Sequence, residues 1–377
     1  MSPSVLLLFH CRANTGYAIA TLERVFHEAA RVVAGESSRI HYAYSNLSTG
    51  FPKHLLDHAG SVTSVTYSAE RSELEKFSAW VRDHQITHTL AFDLPVSVPI
   101  AKALRASGVR RIVSYWGASI SGIYPWYLRP LRRLQYQLSA HRPDLFVFES
   151  EGMRERAVLG AGIPVARTSV CKIGVDCSRF HPVAGAAYAH RVFGIPVDRR
   201  IVFFSGHMEE RKGVHILIDA FARIPSDLRS GMHLLLAGNT YEDEQRLLSR
   251  VVDPTTASQI TFAGYRNDIP ELQQSATLGV IASTGWDSFT VSAVEMAATG
   301  LPLVVSDLAG LKEAVVPEVT GERVTPGDAD ALAKAIVSIV FDDAKRIRYG
   351  TAARARALKE FSADRQIREL VDHLRGR

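Results

Sequence analysis

Short apolar runs recur along the chain, and each is followed by a stretch in which apolar residues return every three or four positions. Val5 to Phe9 is the first run, and Tyr17 to Val33 is the first helical stretch, with Ile19, Leu22, Val25 and Phe26 on one face. Further runs at Arg39 to Tyr44, Ser61 to Tyr67, His88 to Phe92, Arg111 to Tyr115 and Leu145 to Phe148 alternate with helical patterns such as Ala69 to His84 and Ile100 to Ser107. That alternation predicts βαβ units and a parallel, doubly wound sheet. A second series runs through Ile201 to Ser205, His233 to Leu236, Ile260 to Phe262, Leu278 to Ile281 and Leu303 to Val305, with a helix over Val214 to Arg223. The last ~40 residues are helical by pattern, and Phe361, Ile367, Leu370, Val371 and Leu374 form an apolar stripe on the final helix.

A length of 377 residues fits two domains, each with its own core. Charged residues are 22% and hydrophobic ones 46%, which excludes a largely disordered chain. Cys11, Cys171 and Cys177 match no zinc spacing, and so few cysteines suit a reducing cytoplasm. No run approaches the ~20 apolar residues that span a bilayer, and Ser4 to Phe9 is too short for a signal peptide, so the expected location is cytoplasmic. The net charge of +5 favours anionic partners without choosing among nucleotide sugars, anionic lipid and nucleic acid.

One stretch organises the second half: STGWDSFTVSAVEMAATGLPLVVSD, from Ser283 to Asp307. It reads as a loop after a strand, a helix from Phe289 to Ala298 with Asp287 or Ser288 as N-cap, a stop at Gly300 and Pro302, and another strand. A helix that starts where a parallel strand ends aims free N–H groups and its positive dipole end into the crevice where such sheets bind ligands. Asp287 is then either a plain cap or a ligand contact, and Glu295 either a solvated helix residue or a second contact.

The spacing of Asp287, seven residues, Glu295 and then TGLPLVVSD resembles the signature of retaining glycosyltransferases of family 4. The resemblance implies that Asp287 faces the transferred sugar and that the amides of Ser288, Phe289, Thr290 and Val291 hold sugar hydroxyls and phosphate. Glu295 would bind the ribose. Asp287 stands where the family has a longer Glu. Gly174, Val175, Asp176, Phe180 and Pro182 match the family's inter-domain segment. In GHMEERKG, Lys212 matches a diphosphate-binding Lys, while His207 replaces the family's Arg, for which Arg211 could substitute. Arg266, after Gly264, falls in the segment that cradles the base. In the first half the match is looser: Gly16 alone represents a Gly pair over the donor phosphates, or simply serves a turn, and Trp116 takes the place of a His that faces the acceptor. Trp116 is either an acceptor-stacking ring or core.

The resemblance, closest over residues 163–336, implies the GT-B fold: two Rossmann-like doubly wound domains facing across a cleft. Residues 1–183 would bind acceptor, with the C-terminal helix 363–377 packing back on them, and residues 184–362 would bind donor. The expected activity is retaining transfer of a hexose from a UDP- or GDP-sugar to a glycan or lipid-linked acceptor of cell-envelope polysaccharide or lipopolysaccharide. Asp287, Lys212 and Arg211 would be catalytic and no metal would be required. Two alternatives stay open: a soluble small-molecule acceptor, or a sugar-nucleotide-binding module without transfer. Residues 122–142 interleave Tyr124, Trp126, Tyr127 and Tyr136 with Arg129, Arg132, Arg133 and Arg142. They read as a peripheral face on an anionic membrane or as a solvated basic helix. No nucleic-acid module surrounds them, so nucleic acid is not an expected partner.

Overall fold

The computed structural model describes residues 3–377 apart from 59, 97, 119, 121–124, 140 and 239–240, with the side chains at 57, 58, 132, 135 and 241–243 also outside the description. Tyr124 and the Arg132 side chain of the aromatic stretch therefore lie outside the described residues. The chain forms two compact units, Met1–Lys172 with Ala363–Arg377, and Ile173–Ser362.

The first unit holds strands β1 Val5–Phe9, β2 Ile40–Tyr44, β3 Ser61–Ser64, β4 His88–Phe92, β5 Arg111–Trp116, β6 Leu145–Phe148 and β7 Thr168–Val170. They order β3-β2-β1-β4-β5-β6-β7, and every pairing is parallel. VLLLF of β1 is buried at every position because it lies mid-sheet with both faces covered. β2 and β4 flank it, with Val5 opposite Ile40 and His88. The C-terminal helix Ala363–Arg375 packs on the first helix, Tyr17–Ala34, and on β5. Polar contacts accompany its apolar stripe: Arg111 Nε donates to the His373 carbonyl at 3.0 Å, and in the core Gln366 Nε2 donates to the Tyr115 hydroxyl at 2.9 Å.

The second unit holds β8 Arg200–Gly206, β9 Met232–Gly238, β10 Ile260–Gly264, β11 Leu278–Ile281, β12 Leu303–Ser306 and β13 Gly321–Val324. Their order is β10-β9-β8-β11-β12-β13, again all parallel. Chain order reverses between β8 and β11, and that switch point opens a crevice beyond the strand ends.

The first unit gives way to the second at Lys172 rather than at residue 183. The connecting segment belongs to the second unit because its backbone is bound there. Val175 N donates to the Phe361 carbonyl at 2.8 Å, and Arg354 bonds the carbonyls of Phe180 and Cys177 at 2.7 and 3.1 Å.

Candidate functional site

At the switch point of the second sheet, β8 ends in Gly206 and runs through His207 into the 3-10 turn Glu210–Lys212. Gly213 then takes φ 66°, and a Cβ there would stand 1.9 Å from the Ala282 carbonyl oxygen, so only glycine lets this turn press onto the end of β11. The Thr284 amide donates to the Arg211 carbonyl at 2.8 Å and closes the contact.

This packing brings Lys212 to Asp287. Lys212 Nζ lies 2.9 Å from each carboxylate oxygen of Asp287, and Ser283 Oγ donates to Oδ2 at 2.6 Å. The Asp287 side chain is 4% exposed and that of Lys212 13%. Arg211 turns instead to Glu209, Nε to Oε2 at 2.7 Å, donates to the Trp286 carbonyl at 3.3 Å, and has Nη1 4.0 Å from Asp287 Oδ1.

The helix after this loop is Val291–Ala298, two residues shorter at its start than the sequence pattern implies. Neither Asp287 nor Ser288 caps it. Thr290 occupies the N-cap position at φ 24° and ψ 108° with no side-chain cap bond. Asp287 lies too far back in the loop, and its carboxylate is taken by Lys212. Phe289 is fully buried with its ring 5.1 Å from that of Phe361, which anchors the loop in the core; only its backbone could meet a ligand. Ser288, Thr290 and Val291 are half-buried at the helix mouth, and Gly310 approaches so closely that a Cβ would sit 2.8 Å from the Asp287 carbonyl oxygen. Glu295, in the helix's second turn, is 2% exposed, which removes the solvated-residue alternative.

His207 is exposed at the end of β8. The Arg266 side chain does not point freely toward a base: Nε donates to Asp268 Oδ1 at 2.8 Å and the guanidinium stacks 5.5 Å from the Phe193 ring. Asp268 also accepts from the Tyr188 hydroxyl at 2.7 Å, and these bonds, Arg266 foremost, pull its carboxyl down to about 2. The nearest carboxylate in sequence has captured the arginine. Gly16 precedes the first helix of the other unit at φ 150°, exposed.

Trp116 is core. It packs with Tyr136, Phe146, Phe148 and Met153, and its indole face is not presented to solvent. Within 122–142, Tyr136 is likewise buried, but Trp126 is 77% and Tyr127 62% exposed. The helix Arg129–Leu138 adds Leu131, Leu134 and Leu138, all exposed, beside the exposed Arg133. Their spacing of three and four was a legible signal, overshadowed by the aromatic residues.

Sequence reasoning missed Ser283 and Glu209, whose partners depend on loop geometry. It also missed His10 and Asp93, the residues just past β1 and β4 at the first sheet's own switch point. Asp93 takes φ 54°, and its Oδ1 accepts from the Gly117 and Ala118 amides at 2.9 and 3.3 Å. Burial raises its carboxyl to about 6, opposed by His10, whose Nδ1 lies 3.9 Å from Oδ2. Among the described residues no group of three or more His, Cys, Asp or Glu could hold a metal ion, and no helix is long and apolar enough to cross a membrane.

Two doubly wound parallel sheets, the second with a basic turn and a helix N-terminus at its switch point, form a GT-B fold. HepE of Anabaena, solved in complex with UDP, matches 99% of this chain and 100% of its own at a TM-score of 0.79 and 20% identity, a likeness of fold. Residues 188–356 match the family described as Glycosyl transferases group 1. In sequence the chain is 27% identical over 206 residues to the lipopolysaccharide core biosynthesis mannosyltransferase LpsB of Rhizobium meliloti, covering 52% of this chain and 58% of that one. It is 32% identical over 226 residues to a glycogen synthase of Mycobacterium tuberculosis, covering 58% and 50% respectively. The chain thus spans about half the length of these curated relatives.

Proposed function

We propose that this chain is a retaining glycosyltransferase of family 4 that moves a hexose from a nucleoside-diphosphate sugar to a glycan or lipid-linked acceptor. The observation that carries the reading is the meeting of Lys212 and Asp287 at the switch point, directly before a helix with no side-chain cap. Free amides, a dipole end and a fixed ammonium suit a diphosphate whose charge grows as the glycosidic C–O bond breaks. Lys212, Arg211 and the amides from Ser288 to Val291 would meet that charge without a metal, and Glu295 would hold the ribose. The match of residues 188–356 to the glycosyltransferase family supports this assignment over the same segment. UDP-sugars are the first donors to test, because the neighbouring fold of HepE carries UDP, and GDP-sugars the second.

A thermal-shift screen of UDP, GDP and ADP with their sugars tests the donor. A ligand at a hundred times its Kd should stabilise the chain by about 2.7 kcal/mol. A shift that persists in EDTA is expected, and no shift with any nucleotide overturns the reading. Slow hydrolysis of the bound sugar nucleotide to nucleoside diphosphate and free sugar separates the enzyme from a binding module that lacks transfer.

The acceptor class rests on one surface. Trp126, Tyr127, Leu131, Leu134 and Leu138 are exposed together with Arg133, a combination that suits an anionic membrane face and hence a lipid-linked acceptor. The relative named for lipopolysaccharide core synthesis supports that class. A soluble acceptor would leave the patch without a purpose.

A further inference from the structure

Asp287 is surrounded so that little of its carboxylate remains for a substrate. Both oxygens bond Lys212 Nζ at 2.9 Å, Oδ2 also accepts from Ser283 Oγ at 2.6 Å, and the side chain is 4% exposed. A carboxylate oxygen offers about two lone-pair directions, so Oδ2 is filled and Oδ1 retains one. A glutamate would carry its charge one methylene further into the crevice; the shorter stem keeps the charge on Lys212.

Lys212 is left in the complementary condition. An ammonium has three donors, the carboxylate takes two, and the side chain remains partly exposed at the loop surface. Its backbone is clamped as well, since the Arg211 carbonyl accepts the amides of Thr284 and Gly285 at 2.8 and 3.3 Å. A flexible four-carbon stem loses much rotamer freedom when it grips a ligand, and holding it beforehand removes part of that cost.

We propose that Asp287, itself held by Ser283, is a positioning residue that aims the Lys212 ammonium at the distal phosphate of a bound nucleoside diphosphate, and that it does not read the sugar. This rests on the donor reading above. Ser283, Asp287 and Lys212 act as one relay: a hydroxyl fixes a carboxylate, and the carboxylate fixes a cation.

Calorimetric titration of the full chain with UDP, GDP and UMP tests the relay, UMP having no distal phosphate. Asp287→Asn is expected to weaken the better diphosphate about tenfold, as loss of a charge-assisted bond implies, and to leave UMP unchanged. Ser283→Ala is expected to do the same by about threefold, and it serves if Asp287→Asn fails to fold. In a Lys212→Met background, Asp287→Asn should add nothing, because its effect passes through the lysine. Asp287→Glu should recover part of the affinity.

Tighter or unchanged diphosphate binding by Asp287→Asn, with affinity for the sugar nucleotide lost, overturns the inference and leaves the donor reading standing. Equal losses for UDP and UMP overturn it too, as they would mark a merely structural residue. Independent, multiplicative effects with Lys212→Met break the relay. Failure of the unaltered chain to bind any nucleoside diphosphate overturns the donor reading and the relay together.

Discussion

The Tyr44 hydroxyl donates a 2.8 Å hydrogen bond to Oε1 of Glu23 inside the first unit. Glu23 is 1% exposed, and His54 Nε2 lies 2.9 Å from its other carboxylate oxygen. Burial raises its pKa to about 7, against smaller lowering effects of Tyr44 and Arg24. Between the ordinary carboxyl value and about 7 the folded chain therefore holds a proton that the unfolded chain has released, so this group's contribution to stability falls as pH rises through that window. His41 acts oppositely. Burial, with His84 and Arg39 nearby, lowers it to about 4, so the unfolded chain takes up a proton first and stability is lost as pH falls below the ordinary imidazole value. The two slopes offset each other in the parent protein, and a variant exposes them. Glu23→Gln should gain on the parent by on the order of 2 kcal/mol between pH 5 and pH 8 in urea denaturation. A difference that does not change with pH would mean that Glu23 is ionised throughout.

The central strands could be read from the chain because burial on both faces leaves unbroken apolar runs such as VLLLF and LGVI. Two of the four edge strands, β7 and β13, could not. TSV and GERV are short, half-exposed and polar, so nothing separates them from loops. The same division holds at the site. Asp287, Lys212 and Glu295 were singled out because the short motifs around them resemble a family's signature. Where each side chain goes was not legible, since Asp287 finds its partner 75 residues away while Arg266 finds one two residues away. Capping logic placed Asp287 on its own helix, and a cation from another loop outbid the backbone amides.

Trp116 packs between Tyr136, Phe146, Phe148 and Met153, and its indole nitrogen has no hydrogen-bond partner among the described residues. A residue in that position stabilises the first unit and leaves little ring to stack on an acceptor. Trp116→Ala should cost about 3 to 5 kcal/mol through the cavity it creates. Trp116→Phe should cost less, because it removes an unpaired polar atom along with some volume. Denaturant midpoints of both variants decide. Full stability of the alanine variant would return Trp116 to the acceptor.

Glu295 stands one turn into the helix Val291–Ala298 and is buried, beside a start at which Thr290 is held at φ 24°. If its carboxylate holds the ribose of the donor, Glu295→Ala should weaken the nucleoside diphosphate by about 1 to 3 kcal/mol, the range of charge-assisted hydrogen bonds. The loss should be as large for UMP as for UDP, since the ribose is common to both. That pattern separates Glu295 from Lys212, whose removal should spare UMP. Unchanged affinity in calorimetry would leave Glu295 as a core residue of the helix.

Leu131, Leu134 and Leu138 lie on one helix with spacings of three and four, next to the exposed Trp126 and Tyr127. An apolar stripe bordered by arginine gains from an anionic bilayer twice, by burying side chains at the acyl boundary and by attraction of roughly 1 kcal/mol per basic residue near the surface. Leu134→Glu with Leu138→Glu should abolish flotation with vesicles containing phosphatidylserine or phosphatidylglycerol. The parent protein should bind these and not neutral phosphatidylcholine vesicles. Folding should be altered by no more than about 0.5 kcal/mol, because both side chains are exposed. Nucleotide affinity, which the proposed donor site assigns to the other unit, should not change. If the parent protein fails to float with anionic vesicles, the membrane face is lost and a soluble acceptor becomes the better reading; if it floats and the double variant floats equally well, another surface makes the contact.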